Sequence, residues 1–456
     1  MSRRSVVCVG LLTSFVGAAS VTRNGGAQPA VVAPIVSSSA KVNEDPAPPI
    51  PKPSRSVGSF KELWSLLPKN ASDLRIALAE VERAEAATRI AQGAVLPQAN
   101  ASLGFTWSPA SAFGAGGITF GGLNANAQVS VTATLVNVRA FHNIGTVKVG
   151  EEITALGVVE VRRKLGLSLS RSVASIVAAQ RLAEGNRESL DLSLQRLALT
   201  RKRLAAGVGD ARDLVRALQD VAAARASVAP NDESLLQAQE GLGVVVGTTD
   251  AIGVTTDLPG LEAQLVGFCG SGSGKPRTDV QIAKKQIVVA ERNVDDITLK
   301  FLPNLTAGLS AGVSGRAFDG PWNTPLNLSL TLSIPLYDGG IRYAEKRDRI
   351  ALVEEAKARA VAVELASRIE QAQAKRALGV AIAAQTSAKE ARDLAAEALR
   401  LAQLAYEGGV GTNFDLIDAG RLLRQSETTL VLRDFDVARA RLVLPFLEGA
   451  CSGVEK

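Results

Sequence analysis

Two stretches of the chain, ANAQVSVTATL (residues 125–135) and LNLSLTLSIPL (residues 326–336), carry the clearest structural signal in the sequence. In both, aliphatic side chains alternate with small polar ones, the period of a β-strand that has two different faces. Two more runs alternate in the same way, ANASLGFTW (residues 99–107) and LTAGLSAGV (residues 305–313). The four runs are 9 to 11 residues long and carry no charge. This length and this two-faced pattern predict tilted strands with lipid on one side and water on the other.

The alternative for these runs is a soluble sandwich, in which alternation reflects one buried face. A soluble sheet usually has Lys, Glu or Arg on its wet face, and these runs have none. Beyond the N-terminal segment there is no uncharged apolar run of 18 residues, so a membrane protein of this sequence has to enter lipid as a closed barrel. Four strands cannot close a barrel, and the protomer must therefore oligomerise. Two copies give eight strands and a filled interior, whereas three give twelve strands and a lumen.

Aromatic residues crowd the ends of these strands and the loops between them, as expected for a girdle at the membrane interface. The predicted girdle consists of Phe105, Trp107, Phe113, Phe120, Phe318 and Trp322.

The sequence contains an internal duplication, because residues 73–102 align without gaps to residues 279–308. The Leu-Pro pairs at 96–97 and 302–303 match, and each marks the end of a helix, since proline cannot continue the hydrogen-bond ladder. A single large duplication differs from a solenoid, which repeats every 20 to 50 residues or so. The predicted organisation is a first copy at 57–269, a Gly/Ser linker at 270–276, a second copy at 277–448 and a tail at 449–456.

Each copy is predicted to read helix, strand, strand, long helix, turn, helix. Residues 139–205 and 341–407 lack proline, are rich in Ala and Leu, and would each reach roughly 100 Å as helices. The other predicted helices are 72–96, 214–246, 278–302 and 415–447. Taken alone, such helices also suit a solid coiled-coil rod, but strands at equivalent positions of both copies favour a hollow cylinder below a barrel.

The N-terminus resembles a secretory signal peptide over residues 1–27, with Arg3 and Arg4 before a short apolar run at residues 6–19. Residues 28–56 are rich in Pro, Ser and Ala and predict an extended, disordered leader. Cys269 and Cys451 would remain after processing, and the residues alone leave open whether they pair.

The composition argues against several classes of function. A single histidine, His142, makes most metal sites and histidine-dependent catalysis improbable. The net charge of +6 is spread over 51 basic and 45 acidic residues without a basic stripe, which argues against nucleic-acid binding. We therefore expect no catalytic residue, cofactor or resident metal.

From about Ser59 to Glu448 the chain resembles the TolC family of outer membrane efflux proteins. The resemblance rests on the LPQ and LPN endings of the two opening helices, on IPLYDGG (residues 334–340) and on YEGGVGTNFDLIDA (residues 406–419). It implies a mainly α-helical, tandem-repeat protomer that contributes four strands to a trimeric, 12-stranded barrel above a helical periplasmic tunnel. It also implies a homotrimer in outer-membrane lipid that works with a periplasmic adaptor and an inner-membrane pump of the RND or ABC type.

The resemblance also suggests where the tunnel closes. Asp415 and Asp418 fall where the family's constriction aspartates lie, and three protomers would present six carboxylates whose mutual repulsion raises some pKa values. The alternative for two aspartates at a helix start is a capping and dipole role. The turns at the periplasmic tip would be built on Gly207, Gly209, Gly409 and Gly411.

In the first copy, Asp213 and Arg216 stand at the positions of the two aspartates, so the tip is not symmetric in charge. The leader departs from the family core. We further hypothesise that Cys269 and Cys451 approach each other, because the linker and the C-terminus of this fold both pass the middle of the tunnel. The expected function is a passive exit duct of a tripartite efflux or type I secretion system in the Gram-negative outer membrane. The alternative is a structural or adhesive coiled coil of the envelope.

Overall fold

The structure is a computed structural model that describes residues 42–107, 110–114, 117–120, 122–269, 276–316, 321–449 and 451. The expected signal peptide and linker residues 270–275 lie outside the described residues. The first copy contains α2 (Ser72–Gly93), β2 (Gln98–Trp107), β5 (Leu123–Val136), α3 (Val138–Ala205) and α4 (Ala211–Val246). The second copy contains α6 (Thr278–Leu299), β7 (Asn304–Arg316), β8 (Leu326–Ser333), α7 (Ile341–Glu407) and α8 (Asn413–Leu447). The predicted order of elements is confirmed in both copies.

Six short elements were not predicted from the sequence. They are β1 (Arg55–Val57), α1 (Phe60–Asn70), β3 (Ala110–Gly114), β4 (Gly117–Phe120), β6 (Ile252–Val254) and α5 (Leu258–Cys269). The β3–β4 hairpin extends the connection between β2 and β5. In the other four, β1 pairs in parallel with β6 and α1 packs on α5. We name the set β1, α1, β6 and α5 the belt, which lies against the middle of the long helices.

The four predicted strands form one antiparallel sheet in the order β2-β5-β7-β8. The register brings apolar residues level with each other across all four strands, as in the row Ala101, Val129, Ala311, Leu326. Polar residues line up in the same way, as in the row Asn100, Ser130, Ser310, Asn327. The two-faced sheet that the alternation predicted is therefore confirmed.

Four long helices form two antiparallel hairpins, α3 with α4 and α7 with α8. Above the belt, α2 and α6 lie against α3, and α7 lies against α6. With 68 and 67 residues, α3 and α7 are each about 100 Å long. Within the described part of the chain, no helix combines the length and the apolarity needed to cross a membrane.

The main hydrophobic core lies under the belt. Phe60 and Trp64 of α1 pack against each other and against Phe446 near the end of α8, with ring centroids 6.3 to 6.5 Å apart. Gly166 of α3 makes room for this cluster, because a Cβ there would lie 2.2 Å from Cε1 of Phe446. Leucines of α3, α4 and α5, among them Leu169, join the same core.

The belt places a similar short segment ahead of each copy. In chain order, β1 and α1 precede α2 just as β6 and α5 precede α6, and the predicted boundary at the Gly/Ser linker stays a prediction. Strands of three residues carry no readable period, whereas the buried Phe60, Leu63 and Leu67 of α1 recur at helical spacing and could have revealed that helix. Cys269 at the end of α5 forms a disulfide with Cys451, Cα to Cα 4.3 Å, which confirms the hypothesis that they approach each other.

The end of the leader also differs from the expectation of disorder. Arg187 of α3 donates from Nε to the Pro48 carbonyl (2.9 Å), and Arg201 of α3 pairs with the Glu44 carboxylate. On α4, Arg225 donates to the Asp45 carbonyl. Residues 44–54 form no helix or strand. Arginines of the first hairpin hold them through the Glu44 carboxylate and through backbone carbonyls that no secondary structure uses. Leader residues 28–41 lie outside the described residues.

Candidate functional site

The turn at the end of each hairpin closes on a left-handed glycine. Gly207 has φ 76° and Gly409 has φ 75°, a region that costs other residues about 1–2 kcal/mol. The N–H groups of Val208 and Val410 donate to carbonyls five residues earlier, at 3.1 and 3.0 Å. This hydrogen bond is the signature of a Schellman motif, which ends a helix abruptly.

The second glycine of each turn is required by space. A Cβ on Gly209 would lie 2.8 Å from the Leu204 nitrogen, and one on Gly411 would lie 2.9 Å from the carbonyl carbon of Ala405. The next residue then starts the returning helix, Asp210 by capping α4. All four glycines that the sequence assigned to the tips thus build the two tip turns.

Asp415 serves the start of α8. Its Oδ2 accepts from the Thr412 backbone N–H (3.1 Å) and from the Thr412 hydroxyl (2.6 Å), while that hydroxyl accepts from the Asp415 N–H (3.2 Å). This is a capping box. The hydrogen bonds from Thr412 lower the pKa of Asp415, the opposite of the shift that mutual repulsion between aspartates would give. Within the protomer, the capping alternative therefore holds for Asp415.

Asp418 lies one turn further along α8 and is half-buried. Its Oδ1 accepts from Nη2 of Arg421 at 2.9 Å, an ion pair within one helix. Such exposed pairs are worth little, about 0–1 kcal/mol, so Arg421 leaves the Asp418 carboxylate available to another cation. At the equivalent site of the first copy, Arg216 lies 3.7 Å from Asp213.

Contacts between the two hairpins near their tips were not identified from the sequence. Asp220 of α4 accepts from Arg424 of α8 at 2.7 Å and from Ser193 of α3 at 3.1 Å. Arg196 of α3 reaches the same carboxylate at 3.7 Å. Burial and the nearby charge of Arg424 lower the pKa of Arg196. Two arginines thus share one carboxylate where three helices meet.

Two further contacts between the hairpins lie beside the tip turns. The guanidinium of Arg203 on α3 lies 4.0 Å from the ring centre of Tyr406 on α7, and that of Arg216 on α4 lies 5.5 Å from the ring of Phe414 on α8. Cation–π contacts of this kind are worth about 0.5–1 kcal/mol where they are exposed. The tips are therefore joined by a few weak links between hairpins. We name the set Asp220–Arg424, Arg203–Tyr406 and Arg216–Phe414 the tip latch.

At the opposite end of the molecule, the four-stranded sheet is largely uncovered on both faces, although Ala125 of β5 is buried. Leu328 at the centre of β8 is 82% exposed, and no residue of β8 is buried. Within the described part of the chain, the outer edges of β2 and β8 have no strand partner. The sheet is therefore not a layer of a sandwich. It is a two-faced surface with two unsatisfied edges.

The predicted aromatic girdle is placed in part. Phe105, Trp107 and Trp322 are exposed at the far end of the sheet. Phe113 and Phe120 fall in β3 and β4, with side chains outside the described residues, and Phe318 also lies outside them.

A second group of exposed aromatic residues lies where the sheet meets the helices. It consists of Phe141, Phe301, Tyr337 and Tyr343. The rings of Phe301 and Tyr343 are 6.3 Å apart, and the guanidinium of Arg342 lies 4.0 Å from the centre of the Phe301 ring. This group was not predicted from the sequence, because its members lie outside the alternating runs, in or next to the helices α3, α6 and α7.

Comparison with known proteins gives one family. The profile of the family described as "Outer membrane efflux protein" matches residues 63–248 and 275–450. The probable outer membrane lipoprotein SilC of Salmonella typhimurium is 26% identical over 256 residues, which cover 53% of each chain. The outer membrane protein OprJ of Pseudomonas aeruginosa is 28% identical over 261 residues, covering 51% of this chain and 53% of OprJ. The chain thus spans about half the length of the curated relatives it matches.

Solved structures show the same fold. CusC, whose crystal structures concern folding and transmembrane channel formation, superposes with a TM-score of 0.73 at 19% identity, covering 89% of this chain and 97% of CusC. At this identity the likeness is one of fold.

Proposed function

This chain belongs to the outer membrane efflux protein family, and from that membership we propose that three copies of it form the exit duct of a tripartite efflux or type I secretion system. It is a protein of the Gram-negative outer membrane that extends into the periplasm. In this proposal the assembly conducts small molecules or proteins passively, and its residues perform no reaction.

The open-edged sheet carries the proposal. Each backbone N–H or C=O left unpaired in hydrocarbon costs several kcal/mol, so the free edges of β2 and β8 need partners inside the same membrane. An antiparallel sheet with even strand number lets β8 of one copy pair with β2 of the next. Three copies give twelve strands, enough for a lumen lined by the polar rows and surrounded by the apolar rows.

Helix α7 offers a second surface for a neighbouring copy. Val361, Leu365 and Ile369 follow one another at helical spacing and are all exposed, and Leu394 and Leu401 continue the series. The face that α7 turns to its own protomer includes the buried Val353 and other small residues. The exposed aliphatic stripe supports lateral packing between protomers into a tunnel of helices.

The tip latch and Asp418 suit a closed tunnel entrance. We assign the gate to Asp418 and the tip latch, and we assign Asp415 to the helix cap that positions Asp418. A periplasmic adaptor and an inner-membrane pump of the RND or ABC type would act at the tips, drawing the second hairpin away from the first. SilC and OprJ, as outer membrane proteins of this family, support such a role.

The test is an assembly and conductance experiment on the full chain. Detergent extraction from outer membranes should yield a particle of three chains that forms ion-conducting pores in planar bilayers. The competing function, a structural coiled coil of the envelope, gives a particle that stays in plain buffer and conducts nothing. A stable monomer without detergent would overturn the proposed duct.

A further inference from the structure

A groove of about 980 Å³ lies between α3, α7 and α8 at the level of the belt. Its floor is apolar and made of small side chains, chiefly Ala377, Ala381 and Ala384 of α7 with Val443 of α8. Arginines stand around this floor. They are Arg163 and Arg171 of α3 and Arg433 and Arg439 of α8.

The acidic residues of the groove are already engaged. Glu370 accepts from Arg277 at 2.7 Å, and Asp436 lies 3.0 Å from Arg433. In contrast, Arg171 and Arg439 form no ion pair with any residue that the structure describes, and Arg439 only lies over the ring of Phe435 at 5.5 Å. The groove thus has an uncompensated positive charge next to an apolar floor.

Arg163 adds a buried donor to this wall. It is 7% exposed, and Glu160 accepts from its Nε (2.8 Å) and Nη2 (2.6 Å). Its Nη1 has no hydrogen-bond partner among the described residues. Since a buried donor left unsatisfied is costly, this nitrogen calls for an acceptor that the protomer itself does not supply.

The groove faces away from the belt. On α8, Asp436, Ala440, Val443 and Leu447 share the groove face at a spacing of three or four residues. Arg441, on the other side of α8, pairs with Glu262 of the belt helix α5 at 3.0 Å. We place the belt on the outside of the proposed tunnel, so that the groove opens to the lumen.

We propose that this groove is a contact site for amphiphilic organic anions on their way through the tunnel. The ligand class is a carboxylate or sulfonate on an aliphatic or aromatic body. The body lies on the alanine floor, and the acid group accepts from Arg171, Arg439 and Nη1 of Arg163. This inference rests on the proposed duct and adds a cargo preference to it.

The experiment uses 2-naphthalenesulfonate as the probe and 2-naphthylmethylammonium as the cation of matched shape. Each is titrated against single channels of the full-length protein, and binding of the sulfonate is measured in parallel by equilibrium dialysis in detergent. The groove variant is Arg171→Gln with Arg439→Gln. The matched control, Arg368→Gln with Arg441→Gln, removes the same charge from exposed residues outside the groove.

We expect the native channel to be blocked by the sulfonate at a concentration at least tenfold below that of the cation. The groove variant should lose this sensitivity at least tenfold, and the control should keep it. Equal block by both probes, or a groove variant that behaves as the native channel, overturns the anion site while leaving the duct intact. Arginine-dependent binding without any conductance would instead overturn the duct and leave the anion site standing.

Discussion

Gly166 shows how a single residue sets the packing of the belt. Its missing side chain lets the Phe446 ring lie against the backbone of α3, in a cluster with Phe60 and Trp64. Phe446 is fully buried, so a methyl group at position 166 cannot be accommodated by a simple rotation into solvent.

We predict that Gly166→Ala lowers the free energy of unfolding by about 1–3 kcal/mol, the usual cost of overpacking a core. Gly157→Ala is the matched control, since it lies on the same helix and a Cβ there meets nothing within 4 Å. The control should be neutral or stabilising by up to about 1 kcal/mol, because alanine favours a helix over glycine. Thermal unfolding of the detergent-solubilised protein measures both, and equal melting temperatures would contradict the packing argument.

Asp279 at the start of α6 links stability to pH. Burial raises its pKa, but the hydrogen bonds and charge of Arg277, at 2.6 and 2.8 Å, outweigh burial and leave the pKa lowered. A lowered folded-state pKa means that the stabilisation is complete above the unfolded value of about 4 and is lost as the pH falls through the folded value.

Accordingly, the native protein should lose thermal stability as the pH falls below about 4, and Asp279→Asn should reduce the part of that loss due to this pair. Asp73→Asn, at the equivalent position of the first copy, serves as the control, because it leaves the Arg277–Asp279 pair in place. If both variants titrate alike, the Arg277–Asp279 pair does not contribute as described.

The candidate site was predictable from the sequence only where a local signal marked it. The GVG turns carry their own conformational requirement, and all four glycines were identified. Asp220, Arg424 and Tyr406 were not, because they become neighbours only when two hairpins pack, and neither charge stands out on a helix surface rich in arginine and glutamate. The sequence could not assign Asp415 to one role, because a capping aspartate and a gate aspartate share the same helix start, and its place in the gate stays a prediction.

Among the helices and strands, the length of an element and the period of its apolar residues determined whether the sequence predicted it. The 67- and 68-residue helices and the alternating strands were predicted to within a few residues at most ends. The belt elements were missed, since three-residue strands have no readable period. Their partners are also about 200 residues apart, as in Arg55 with Ile252.

The tip latch leads to a prediction about gating. Arg424→Ala removes the strongest link between α8 and Asp220, and the remaining cation–π contacts are weak. We expect larger or more frequent openings in single-channel records, by a factor of several. Arg421→Ala is the control, because Arg421 pairs only with Asp418 of its own helix among the described residues and crosses no hairpin boundary. Its loss should expose Asp418 and strengthen block by cations without widening the pore, and equal opening in both variants would rule out the latch.

In the assembled barrel, the face of the sheet on which a side chain lies determines whether that side chain meets lipid or water. A charged side chain on the lipid face of a barrel costs about 2–4 kcal/mol at the membrane midplane, whereas the lumen face tolerates it. Leu328→Arg should therefore impair insertion and trimer formation, measured by the yield of detergent-extracted trimer. Ser329→Arg on the adjacent residue points to the other face and should assemble normally. Equal assembly of both variants would contradict the proposed location of the sheet in the membrane.

The parallel pairing of β1 with β6 has a consequence for biogenesis. The first strand of the belt, β1, pairs with β6, which follows almost 200 residues later in the chain. A first copy that enters the periplasm before β6 therefore has an incomplete core and a helical hairpin with exposed apolar side chains. We expect a holdase chaperone to bind this incomplete chain. We also expect an isolated first copy, residues 42–248, to aggregate or to be degraded even when its helices are intact. The chain is therefore most prone to aggregation in the interval between the synthesis of β1 and that of β6, before the belt has formed.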